Sequence, residues 1–128
     1  MKKHCVDLKK TGQFSKFFLD YLEGKEPLRS FYSHLPNLES FDAAIKAKQF
    51  SADKRQILVE VLESQYADLP LSPAAAQQLD ALRDEKTFTV TTGHQLNLFT
   101  GPLYFIYKLI SVINLAKRLQ EQHPDYRF

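Results

Sequence analysis

Residues 103–121 constrain this chain more than any other stretch. Leu103, Phe105, Ile106, Leu109, Ile110, Val112, Ile113, Leu115, Ala116 and Leu119 spread apolar side chains around most of a helix instead of along one stripe. Pro102 falls in the first turn, where a proline sacrifices no hydrogen bond. Such a helix expects cover on most sides, yet Lys108, Ser111, Asn114 and Lys117 interrupt it too often for a membrane span. Just upstream, residues 87–92 read TFTVTT, a short β-branched and aromatic run that Gly93 ends, which is the signature of a strand. A strand, a glycine-containing loop and a long helix are the opening elements of a βαβ unit. The expectation is therefore an α/β fold: an N-terminal helical region over residues 1–86, then, over 87–128, the first strand, loop and helix of a Rossmann-like core. A lone strand cannot satisfy its own backbone, so this unit is incomplete and the chain reads as the front end of a longer protein. The alternative is a small, mostly helical domain in which TFTVTT pairs across a dimer or is an extended loop.

The preceding region reads as short helices with clear punctuation. Phe17, Phe18, Tyr21 and Leu22 recur at helical spacing before Gly24, and Pro27 opens a second helix carrying Leu28, Phe31, Tyr32 and Leu35. Asn37 is the expected cap of a third, with Leu38, Phe41, Ala44 and Ile45 on one side. Ser51 caps a fourth with the stripe Ile57, Leu58, Val61, Leu62 and Tyr66. Ser72-Pro73 starts a fifth with Ala75, Ala76, Leu79 and Leu82 inward.

Composition narrows the class without naming a function. A hydrophobic share of 44% with 25% charged residues suits a packed, water-soluble domain and excludes a disordered one. The 17 basic and 15 acidic residues leave a net charge of +2, too even to point to nucleic acid or membrane as a partner. The single cysteine, Cys5, cannot form an intrachain disulfide, and the basic start MKKHCVDLKK lacks the apolar run of a signal peptide, so the expected location is the cytoplasm. His4 and Cys5 have no second pair at metal-site spacing, and no metal is expected.

Residues 91–102, TTGHQLNLFTGP, form the one stretch built for a ligand. In open α/β sheets ligands bind beyond the carboxyl ends of the strands, and Thr100 and Gly101 precede a helix start whose free amides attract a carboxylate or phosphate. The spacing of Gly93 and Gly101 fits neither the dinucleotide fingerprint nor the phosphate loop of nucleotide hydrolases. The competing reading is an ordinary strand-to-helix turn.

The run TGHQLNLFTGPLYFIYKLISVINLAK, residues 92–117, resembles the signature of the bacillithiol biosynthesis cysteine-adding enzymes, a family of cysteine ligases. The resemblance implies a Rossmann-like core related to class I synthetase-type nucleotide enzymes, and a C-terminal coiled coil that makes a homodimer. It implies addition of cysteine to glucosaminyl-malate, both small-molecule substrates, with this chain as roughly the first quarter of the protein. No cofactor is evident in the sequence, and ATP or another nucleotide is the natural cosubstrate because amide formation needs an activated carboxylate. The family's Glu-Asp-His-Asp motif does not occur in these residues, so no catalytic residue is assigned.

The substrate- or nucleotide-binding candidates are Gly93, His94, Gln95, Thr100, Gly101, Tyr104 and Lys108. The family loop often carries two glutamines where this chain has His94-Gln95. Glutamine cannot act as a base, so His94 reads as a hydrogen-bonding residue, to ligand or to structure, more than a proton-transfer group. Gln95 has the same two readings. Lys108 either snorkels to solvent or turns into the site to balance an anion, and Tyr104, one turn earlier, shares its face. Tyr107 reads as core. The rival function is a non-enzymatic interaction module that presents the Phe-rich helices of residues 14–35 to a protein partner.

Overall fold

Small polar side chains open most of the helices. In the computed structural model, which describes residues 4–95, 97, 99 and 101–128, Asp7 accepts from the Lys9 amide at the head of α1 (Leu8–Thr11). Ser15 accepts from Phe18 at the head of α2 (Lys16–Leu22). Ser51 does the same for α4 (Ala52–Tyr66) and Ser72, followed by Pro73, for α5 (Pro73–Ala81). Each cap satisfies an amide that the helix leaves without a partner. α3 (Ser40–Ala47) is held by Asn37, whose Oδ1 accepts from both the amide and the hydroxyl of Ser40.

The chain divides into two compact units, Met1–Gln49 and Phe50–Phe128. The first carries α1, α2, a 3₁₀ helix at Glu26–Phe31 and α3, with Ile45 as its buried aliphatic residue. Gly24 takes a positive φ of 67° after α2, and a Cβ there would come 3.0 Å from Leu35, so a glycine is required. Tyr21 and Tyr32 meet edge to face at 5.1 Å. The short helix expected to run through Leu35 instead stops at Phe31, and Tyr32 is already extended. The tighter 3₁₀ winding seldom continues beyond a turn or two.

The second unit carries α4, α5 and α6 (Leu103–Gln122). Its fully buried side chains are Val59 of α4 and Leu119 of α6. On α4 the buried line is Arg55 and Val59, four residues apart, whereas Ile57 and Val61 of the expected stripe stay exposed. On α5, Ala81 is buried and Ala75 and Ala76 are exposed. Arg55 Nη1 donates to the Leu82 carbonyl at 3.1 Å, and its Nη2 donates to those of Glu85 and Thr87 at 3.1 and 3.0 Å. An apolar cleft of about 520 Å³ opens between Leu62, Tyr66, Leu79, Phe88, Val90 and Phe128.

The α/β expectation is corrected here. Among the described residues there is no sheet; residues 87–92 form no strand, and the β pairing is one isolated parallel bridge between Thr87 and Arg127. Phe88 N donates to Arg127 O at 2.8 Å and Arg127 N donates to Lys86 O at 3.0 Å. β propensity supplies side chains that suit a strand, but a ladder needs a second run of backbone, and among the described residues only Arg127 pairs with the backbone beside Thr87. The described residues are predominantly helical, as in the alternative weighed above.

The long apolar helix is present as α6, with its expected start and end. Most of its apolar surface is exposed: Leu103 keeps 65% of its surface and Ile113 53%. Tyr107, expected in the core, is 63% exposed, because no described element of its own unit covers that side of the helix. No described helix is long and apolar enough to cross a membrane.

Candidate functional site

The start of α6 and the loop before it build one polar cleft of about 590 Å³, lined by Gly93, His94, Gln95, Asn97, Tyr104 and Lys108. Five of the seven residues singled out from sequence therefore meet in one place. Gly101 lies beside it without lining it, and Thr100 falls outside the described residues.

Pro102 precedes α6, brings no N–H, and no described side chain caps the helix. Its first turn consequently directs amides toward the loop with the positive end of the helix dipole behind them. Gly101 delivers the chain to this start with a φ of 65°, in the left-handed region that side chains avoid. A Cβ at Gly101 would lie 2.6 Å from Asn97 Cγ, so the loop also needs the space. Asn97 in turn donates Nδ2 to Gln95 O at 2.9 Å, a local bond that closes the turn. Sequence reasoning passed over Asn97; the signal was its residue type, since asparagine two residues after Gln95 can bond back to that backbone.

Lys108 does not run out to solvent alone. Its Nζ donates to the Gly93 carbonyl at 3.1 Å and lies 5.3 Å from the centre of the Tyr104 ring, so the ammonium is turned toward the loop and against a π face. Tyr104 and Lys108 share one side of α6, as their spacing requires.

His94 is half-buried between aromatic rings. It stacks on Phe105 at 4.7 Å and meets Tyr104 edge-on at 5.3 Å. Its Nε2 is buried with no hydrogen-bond partner among the described residues. A buried polar atom in that condition carries a desolvation cost that a bound group could remove. Gln95 is exposed, and its carbonyl, not its side chain, receives the Asn97 bond.

A second cleft of about 420 Å³ lies on the other flank of Lys108, with the Thr91, Thr92 and Ser111 hydroxyls and the ring of Tyr107 along it. Lys108 and Tyr104 border both spaces. The combination of a fixed cation, a helix N-terminus, an imidazole nitrogen with no partner among the described residues, and nearby hydroxyl-bearing residues suits a small ligand bearing an anionic group. The described residues hold no group of three or more histidine, cysteine or acidic side chains arranged for a metal ion.

Comparison with known proteins gives the chain its family. The model of the family described as "Bacillithiol biosynthesis BshC, N-terminal Rossmann-like domain" matches residues 1–128. Proteins named "Putative cysteine ligase BshC" are similar along the chain: 46% identical over 131 residues in Flavobacterium psychrophilum, covering all of this chain and 25% of that protein. The identity is 47% over 130 residues in Christiangramia forsetii, covering all of this chain and 24% of that protein. In Bacillus cereus strain AH187 it is 36% over 102 residues, covering 80% of this chain and 19% of that protein. The chain thus spans about a quarter of the length of the first of these relatives. No solved structure was found to match it. With the family model covering every residue, the chain belongs to the bacillithiol biosynthesis BshC family and corresponds to the part described as its N-terminal Rossmann-like domain.

Proposed function

We propose that the protein works as a ligase that adds cysteine to glucosaminyl-malate in bacillithiol biosynthesis, and that residues 93–108 supply a binding site for an anionic group of a substrate or nucleotide. The observation that carries this reading is Lys108, whose ammonium stands beside Gly93 near the start of α6. Forming the amide requires that the cysteine carboxylate be activated, as an adenylate or acyl phosphate, before the glucosaminyl amine attacks it. ATP is the natural cosubstrate for that step, and each partner in it carries a carboxylate or phosphate that Lys108 and the α6 amides can bind. His94 Nε2 would bond a polar group of the same ligand; nothing in this role requires it to move a proton. Cytoplasmic location and action as a homodimer belong to the same reading.

The test is a coupled assay on the intact protein, with cysteine, glucosaminyl-malate and ATP, in which the thiol product is read by mass spectrometry. Product that depends on all three supports the reading, and its absence under conditions where the protein is folded refutes it. A second reading, an interaction module, draws on the exposure of Phe17 and Phe31, which keep 65% and 78% of their surface. It is favoured if Phe17→Ser and Phe31→Ser abolish a cellular role while ligation in the assay is unchanged.

A further inference from the structure

Arg55 and Thr87 are the buried polar residues among those described, and they are partners. Arg55 comes from the first turn of α4 and is only 7% exposed. Its guanidinium reaches three carbonyls, those of Leu82, Glu85 and Thr87, while the Phe50 ring lies 5.5 Å beneath it. Its Nε is buried without an acceptor, and no carboxylate among the described residues pairs with it. Burying a cation against carbonyl dipoles alone is a costly way to hold a helix in place; an aliphatic side chain would pack with less desolvation. What the guanidinium adds is direction, because its planar fork fixes several acceptors at once.

The acceptors identify what is being fixed. Leu82 is the C-cap of α5, Glu85 lies in the turn that follows, and Thr87 begins the segment that leads to Gly93 and His94. Residues 89–92 make no backbone hydrogen bond among the described residues. At the far end Gly93 O takes the Lys108 ammonium. The segment that delivers the site is therefore held at each end by a cationic side chain on a backbone carbonyl, with the Arg127 bridge reinforcing the near end.

We propose that Arg55 is a positioning residue for the cleft at Gly93 and His94, acting through Thr87 although it lies outside that cleft. The inference rests on the reading of residues 93–108 as an anion site. An anion that draws Lys108 from Gly93 O leaves the His94 stack on Phe105 at the far end and Arg55 with the Arg127 bridge at the near end, so the dependence on Arg55 is greatest with substrate bound.

The experiment compares Arg55→Lys with Val59→Ala in the intact protein. Lysine keeps the charge but cannot span three carbonyls, and Val59→Ala removes buried packing one turn along the same face without removing a hydrogen bond to the segment. Two quantities are read: amide exchange of Phe88 and Arg127 relative to amides within α4, and KM and kcat for glucosaminyl-malate. Arg55→Lys should speed exchange at Phe88 and Arg127 at least tenfold more than in α4 and raise KM at least fivefold with kcat changed less than twofold. Val59→Ala should speed exchange evenly and leave KM within twofold. Equal exchange ratios in the two variants, or an unmoved KM in Arg55→Lys, would overturn the proposal. Should Arg55→Lys not fold, Phe50→Leu removes the ring beneath the guanidinium, and it should shift the same exchange ratio at least threefold; no shift would overturn the proposal as well. A wild-type protein without turnover defeats the ligase reading alone, and the exchange ratio still decides whether Arg55 holds the segment.

Discussion

Replacing Gly101 with alanine imposes two separate costs that the structure allows to be added. The first is backbone: at a φ of 65° an L residue is strained by about 1 kcal/mol. The second is contact, because the new Cβ would stand 2.6 Å from Asn97 Cγ, 2.8 Å from its Cβ and 2.9 Å from its Nδ2. The Asn97 side chain must swing away and lose its bond to Gln95 O, which is exposed and so contributes about 0.5 kcal/mol. The nearness of Asn97 Cβ means that a rotamer change does not suffice, and the loop backbone must also shift, for a total of about 2 kcal/mol. Gly93→Ala is the control: no described atom lies within 4 Å of a Cβ there, and the effect should stay within about 0.5 kcal/mol. Urea unfolding followed by circular dichroism measures both. Adding Asn97→Gly to Gly101→Ala removes the contact but leaves the backbone strain and the lost Asn97 bond, so the double variant should recover about 0.5 kcal/mol. Equal losses for Gly101→Ala and Gly93→Ala would refute the reasoning.

Two further outcomes follow from the same structure. His94→Gln should leave ligation within about twofold, since the role proposed for it is a hydrogen bond that an amide can supply, while loss of the stack on Phe105 lowers stability by about 1 kcal/mol; steady-state kinetics and thermal unfolding separate the two. In the unit Met1–Gln49, the hydrogen bond from Lys9, and next that from Lys25, holds the Glu23 carboxyl below its ordinary range, and the bond to Glu23 raises Lys9. The Glu23 contribution is full above the ordinary carboxylate pKa and disappears as pH falls through the lowered one; that of Lys9 is full below the ordinary lysine pKa and disappears as pH rises through the raised one. Glu23→Gln should flatten both limbs of the pH–stability profile, and an unchanged profile would count against the pair.

The parts of this molecule legible in its sequence are those governed by neighbours in the chain. Ser51, Ser72-Pro73, Asn37 and Pro102 announce helix starts because a cap acts within three residues of itself. Tyr104 and Lys108 could be assigned to one face of α6 from spacing alone. That residues 87–92 form no strand was not legible, because pairing depends on distant backbone, and among the described residues only Arg127 meets Thr87. Arg55 was missed for a related reason. An arginine in a helix usually lies at the surface, and its burial is intelligible only once the carbonyls of Leu82, Glu85 and Thr87, some thirty residues on, surround it. The stacking of His94 on Phe105 likewise joins a loop to a helix that the sequence orders but does not bring together.

The central claim, that the ammonium of Lys108 serves an anionic ligand of a ligase, is tested most directly by kcat/KM for glucosaminyl-malate in Lys108→Ala. The contact is partly screened, so the loss should be about 1 kcal/mol, which is roughly a fivefold fall in kcat/KM. A fall of that size, with thermal stability retained, is the predicted result; an unchanged kcat/KM in a folded variant would contradict the account.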